Sequence, residues 1–248
     1  MNTILSRDSY PISLIKLQQL PPPKSGKKFH PINHYDFIDA FLSGIMMQNP
    51  ESEQTIETND DGEVMVSAMC DMEHTIDVSV IGINTYAANK PISLLFGAGI
   101  TNGRDMLHFP HMEITKKKNE STPEFLAGMP KILSETITRV DELNRNRSNA
   151  YCSEEVSKKD FIYFVAELIV EEMIPAHCLQ EIVLEWHRIS IEERKRCSIN
   201  AAARAILLRM PIAVIESHKT RSMIIFDKLD KWAKFKPADC LNQMLLPV

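Results

Sequence analysis

Residues 75–111, TIDVSVIGINTYAANKPISLLFGAGITNGRDMLHFPH, constrain the fold more than any other part of the chain. They hold two strand-like segments, 76–84 and 92–100, separated by a polar loop at 86–90. In the first, Ile76, Val78 and Val80 alternate with Thr75, Asp77 and Ser79, the pattern of a half-buried strand. Pro91 opens the second, whose run SLLFGAG does not alternate and so predicts burial on both faces. Upstream, 54–58 and 63–70 flank NDDG at 59–62, where Asp61-Gly62 is a hairpin signal. Downstream, Thr101-Asn102-Gly103 turns the chain toward a further strand over 106–114. The expectation is four or five strands in one mostly antiparallel sheet.

Helical spacing frames this region. Asn33 can cap a helix over 34–47, with Phe37, Ile38, Phe41, Leu42 and Ile45 on one side and Asn49-Pro50 ending it. From Ser121 the period switches to 3.6. Ser121-Thr122-Pro123-Glu124 starts a helix whose apolar stripe runs from Phe125 through Met129, Leu133, Ile137 and Val140 to Leu143. Ser157 with Asp160 and Ser190 with Glu193 are capping patterns, Pro175 and Ser198 restart helices, and a last helix after Pro211 reaches about residue 235. The polar run 145–155, RNRSNAYCSEE, reads as a hinge. The fold class is therefore α+β: a small antiparallel sheet in the N-terminal half, packed with a helical C-terminal half. The division reads as 1–28, a lead-in with a Pro-rich linker; 29–118, an acidic sheet region; and 119–248, a helical and locally basic region.

Charge is uneven along the chain. Between Phe29 and Asn89 there are eleven acids and no Lys or Arg, so against an overall charge of −5 the remainder carries +6. Such an asymmetry suggests a partner or a polyanion and says nothing about fold. No apolar run approaches the ~20 residues of a membrane span. Arg7, Asp8 and Lys16 interrupt the N-terminus in a way that a signal peptide would not. The five cysteines, Cys70, Cys152, Cys178, Cys197 and Cys240, form no CxxC pair, and free thiols in a reducing cytosol are expected.

Catalytic and metal motifs do not survive inspection. His30 with His34 and His108 with His111 have ligand-like spacing, but Pro31 and Pro110 fall inside the pairs and neither has the Glu of an HExxH motif. Glu167, Glu171 and Glu172 read as a solvated stripe rather than an acid/base pair. Phe96-Gly97-Ala98-Gly99 lacks the Lys and Ser/Thr of a phosphate loop, so its glycines are expected to serve close strand packing or a bulge. No metal and no cofactor is expected.

Two charged sets remain. Lys116, Lys117, Lys118, Arg139, Arg145, Lys219, Arg221, Lys228 and Lys231, with Trp232 among them, have the chemistry of a nucleic-acid surface, by phosphate neutralisation and base stacking. Arg194-Lys195-Arg196 adds a short basic run between caps. Glu57, Asp60, Asp61, Glu63, Asp71 and Glu73 form the candidate acidic partner surface.

The layout resembles the phage/plasmid-like protein family called domain of unknown function 932. The residues that carry the resemblance are Leu20-Pro21-Pro22-Pro23 leading to Pro31-Ile32-Asn33-His34; Gly82-Ile83-Asn84-Thr85-Tyr86-Ala87; Phe96-Gly97-Ala98-Gly99; Ile100-Thr101-Asn102-Gly103; and His111. Asn84, Asn102, Gly103 and His111 match the family pattern. Tyr86 and Ala87 replace its His and Asp, and Ile100 replaces its Cys, which implies that any site the family holds there is lost in this chain. The resemblance implies a setting in mobile-element DNA biology, in the cytoplasm of a bacterial host. Together with the charge layout it gives two expectations. The first is a non-catalytic protein that binds or anneals single-stranded DNA, forming homo-oligomers in which an acidic half meets a neighbour's basic half. The alternative is an anti-defence inhibitor whose acidic half mimics DNA toward a host nuclease or restriction protein.

Overall fold

The computed structural model describes residues 9–19, 31–49, 52–60, 62–70, 77–87, 90–102, 105–116, 121–153, 155–210 and 215–237. Among the described residues six strands form one antiparallel meander in chain order: β1 (Ser9–Pro11), β2 (Glu53–Asn59), β3 (Glu63–Cys70), β4 (Asp77–Thr85), β5 (Ser93–Asn102) and β6 (Asp105–Thr115). The helices are α1 (Leu14–Gln18), α2 (His34–Gln48), α3 (Thr122–Tyr151), α4 (Lys158–Val170), α5 (Leu179–Arg188), α6 (Ile191–Arg196), α7 (Ser198–Leu207) and α8 (Ile215–Trp232), with one 3-10 turn at Ala176–Cys178. The α+β class holds, with the sheet in the N-terminal half and the helices mainly after it.

The sixth strand comes from the lead-in. Ser9, Tyr10 and Pro11 pair with Asn59, Thr58 and Glu57, and Leu17 of α1 is wholly buried against the sheet core. A three-residue strand followed by a five-residue helix leaves too short a periodic signal to read from sequence. The β2–β3 hairpin closes where NDDG stands, with Gly62 at φ 73, the left-handed region that favours glycine.

Strand register places Val64, Val66, Ala68, Val78, Val80, Leu94 and Phe96 on one face, packed by Phe37, Phe41 and Ile45 of α2 and Phe125, Met129, Leu133 and Ile137 of α3. Opposite them lie Met65, Ile81 and Leu95, also buried. β4 is thus covered on both faces rather than half-buried: Ser79, at a nominally polar position, is 1% exposed. His108 of β6 reaches across β5 at its glycines and meets Ser79 Oγ at 2.6 Å. The register shifts between Phe96 and Gly97, and a Cβ at Gly97 would stand 2.1 Å from the Phe109 carbonyl oxygen, so those glycines do serve a bulge and a close approach.

The expected hinge at 145–155 is instead the end of α3, which runs unbroken to Tyr151. Two of its polar side chains, Arg147 and Tyr151, turn inward. Arg147 donates to both carboxylate oxygens of Asp230 on α8, at 2.8 and 2.9 Å, and Tyr151 Oη donates to the same carboxylate at 2.7 Å. The guanidinium also lies over the Phe226 ring, 4.8 Å from its centre. Around this pair a second core gathers Phe161, Val165, Leu168, Ile182, Trp186, Ile199, Ile206 and Leu229. α3 therefore joins the sheet core to the helical core. Just past it, Cys152 bonds to Cys197 in a disulfide across 45 residues, which corrects the expectation of free thiols for that pair. Cys70 and Cys178 are free and buried, and Cys240 lies outside the described residues.

Candidate nucleic-acid interface

Among the described residues, most of the basic side chains singled out in the sequence are paired or half-buried rather than gathered on one open surface. α8 lies along β6, the last strand of the sheet, and on α4, and its lysines are committed to carboxylates there. Lys219 pairs with Glu113 of β6 at 2.5 Å. Lys228 bridges Glu167 of α4 and Glu171 just past its end, at 2.6 and 2.8 Å, bonds that hold its ammonium above the ordinary lysine range. Those two glutamates are exposed, as a solvated stripe requires, and they also anchor α8 through Lys228. Lys231 pairs with Asp227 one turn back, and Arg145 with Asp141. Trp232 stacks on Phe164 with ring centres 4.4 Å apart. Arg139 is exposed on α3, Arg221 is half-buried on α8, and Lys116 is half-buried beyond β6. Lys117 and Lys118 lie outside the described residues. The groove between α4 and α8 that holds Lys228, Lys231 and Trp232 is also lined by Asp160, Glu167 and Asp227, so acids there outnumber bases.

A different corner carries unpaired positive charge. Lys158 and Lys159 open α4, and Arg194, Lys195 and Arg196 close α6. None of these five makes an ion pair among the described residues, and all but the half-buried Arg194 are exposed. The corner is joined through α5. Arg194 Nη1 lies 3.2 Å from His187 Nδ1 and its guanidinium lies 5.8 Å from the centre of the Trp186 ring. Partial desolvation, then the charges of Lys158 and Arg194, push the His187 imidazole below its ordinary range. Lys159 sits over the ring of Tyr163, which is 63% exposed. The Cys152–Cys197 disulfide fixes the chain next to Arg196. Arg194-Lys195-Arg196 was legible as a basic run; its meeting with Lys158 and His187 was not.

The acidic surface is smaller than the sequence implies. Glu57 is buried, and Glu63 is buried with its carboxylate held by Lys90 at 2.7 Å and Asn59 Nδ2 at 2.8 Å. Asp60 is exposed; Asp61, Asp71 and Glu73 lie outside the described residues.

Two buried clusters hold His34, His108 and His218. Asn84 donates to the Ile32 carbonyl and to His34 Nδ1, both at 3.0 Å, while His34 Nε2 donates to the Gly62 carbonyl at 3.1 Å. Tyr86 stacks on the His34 ring at 3.8 Å and its hydroxyl accepts the His34 backbone N–H. Burial pushes this imidazole down to about 4, so it is neutral with both nitrogens occupied and serves to clamp the start of α2 onto the end of β4. Of the other family-motif positions, Asn102 ends β5 and His111 lies within β6; their side chains and Gly103 are outside the described residues, as is His30. In the second cluster His218 Nε2 donates to the His108 carbonyl at 2.6 Å, and burial pushes His108 down to about 3. Ser79 beside His108 has the spacing of an activated nucleophile. Both are buried, so the pair lacks the substrate access that chemistry requires. Among the described residues no group of three or more His, Cys, Asp or Glu is placed to hold a metal ion, and no helix is long and apolar enough to cross a membrane.

Comparison with known proteins returns no match: no family model fits the chain, and no curated protein or solved structure resembles it significantly.

Proposed function

We propose that this protein binds single-stranded DNA without catalysis, as an accessory factor of a mobile genetic element, and that the contact is the corner formed by α4, α5 and α6. One observation carries the reading. The three lysines of α8 are paired with carboxylates of the same chain, whereas Lys158, Lys159, Arg194, Lys195 and Arg196 have no carboxylate partner among the described residues. Unpaired cations are the ones that release counterions from a phosphate backbone. Tyr163, exposed beside Lys159, offers a ring on which a base can stack. The motif resemblance supports the mobile-element setting. The burial of Glu57 and Glu63 weighs against DNA mimicry, since two of its six acids cannot meet a partner.

The test is fluorescence anisotropy with a labelled oligothymidylate. Reversing Lys158, Arg194, Lys195 and Arg196 to Glu should abolish binding, while Lys231→Glu on α8 should leave it within about twofold. Wild-type affinity should fall by roughly 0.7 log units per log unit of salt for each phosphate contact. A wild-type protein without measurable affinity, or a fourfold variant that binds as well as wild type, rejects the proposal.

A further inference from the structure

We propose that a cavity on the face of the sheet carrying Ile83 and Leu95 binds a small amphiphilic anion, an apolar body bearing one carboxylate or phosphate group. The cavity measures about 330 Å³, within the range of small-molecule sites. Ile83 of β4 and Leu95 of β5 form its floor and Pro91 a wall. Glu63 of β3 and Glu113 of β6 both line it, on strands three places apart in the sheet.

The hydrogen-bond inventory selects the sign of the ligand. Both oxygens of Glu113 are occupied, one by Ser93 Oγ at 2.8 Å and the other by Lys219 Nζ at 2.5 Å. Both oxygens of Glu63 are occupied by Lys90 and Asn59. Each carboxylate therefore already accepts a donor on both oxygens, one of them from a lysine that meets its charge within the chain. Lys219 is different: an ammonium group has three N–H donors and one of them is used on Glu113. The other two have no protein acceptor among the described residues, and an anion in the cavity can accept from them in place of solvent. Glu113, itself held by Ser93, fixes the ammonium in place before any ligand arrives, which lowers the ordering cost of binding. The apolar floor rejects a bare hydrated anion and rewards an apolar body. This site uses β3 to β6 and the start of α8, shares no residue with the α4–α6 corner, and does not depend on DNA binding.

Isothermal titration calorimetry on the full chain tests the assignment with three probes: 4-phenylbutyrate, adenosine 5′-monophosphate and inorganic phosphate. One of the first two should bind saturably at one per chain. Inorganic phosphate, which lacks an apolar body, should bind at least tenfold more weakly. Saturation by the carboxylate probe assigns an apolar acid, and saturation by the nucleotide assigns a phosphorylated ligand. Lys219→Met keeps the aliphatic stem and should weaken the successful probe at least tenfold; Ile83→Trp should fill the floor and abolish binding. Circular dichroism establishes that each variant is folded, and Lys219→Met alone decides the matter if Ile83→Trp is not. No saturable binding of either amphiphile, equal binding of inorganic phosphate, or unchanged binding by Lys219→Met overturns the proposal.

Discussion

Replacing Asp230 with Ala should cost the protein a large part of its stability. The carboxylate is 4% exposed, as is the Arg147 side chain, and it accepts two guanidinium bonds and the Tyr151 hydroxyl. Removing one member of a buried ion pair strands the other charge, which costs about 3–5 kcal/mol. A buried hydroxyl losing its acceptor adds roughly 1 kcal/mol or more. The expected loss is therefore about 5 kcal/mol, against a total of roughly 5–15 kcal/mol for a domain. With a urea slope of about 3 kcal/mol per molar, the unfolding midpoint should fall by about 1.7 M. Trp186 and Trp232 both lie in the helical core region and report the transition by fluorescence. The same reasoning predicts recovery. Arg147→Met, Tyr151→Phe and Asp230→Leu together remove every charge and the orphaned hydroxyl, and the Phe226 ring can pack against a thioether. That triple variant should lie within about 2 kcal/mol of wild type. A midpoint shift below about 0.3 M for Asp230→Ala, or a triple variant no more stable than the single one, would refute the desolvation account.

Acid should destabilise the fold through its buried histidines. An unfolded histidine titrates near 6.5, whereas His34 in the fold titrates near 4, so between those values the unfolded state binds the extra proton and stability falls as pH falls. From pH 7.5 to 5 the His34 contribution alone amounts to about 2 kcal/mol, and urea midpoints at the two pH values should show a smaller difference in His34→Gln; an equal difference refutes it. The β5 glycines should separate sharply in thermal melts. Gly97→Ala drives a Cβ to 2.1 Å from a backbone oxygen that cannot move aside, while Gly99→Ala meets the flexible Met69 side chain. Gly97→Ala should therefore lose at least about 3 kcal/mol and Gly99→Ala about 1 kcal/mol, and equal losses would contradict the geometry.

Much of the fold could be read from neighbours three or four residues apart. Asn33 caps α2, Ser121 and Glu124 form a full capping box on α3, and Ser157 and Ser190 cap α4 and α6 where the sequence places them. The hairpin at 59–62 and the unbroken burial of 93–100 in β5 were equally local, because turn chemistry and side-chain alternation need no distant partner. The destination of charged and polar side chains was not local. Arg147 looks like a hinge residue until Asp230, 83 positions away, turns it inward. Lys219 and Lys228 look free until β6 and α4 bring Glu113, Glu167 and Glu171 against them, over separations of 57 to 106 residues. Ser79 reads as the wet side of a strand until His108 crosses β5 to cover it. Local spacing fixes backbone conformation because caps and helical bonds close within one turn. The state of a charge depends on what lies within a few ångströms, which the packing of the sheet against α3 and α8 alone decides.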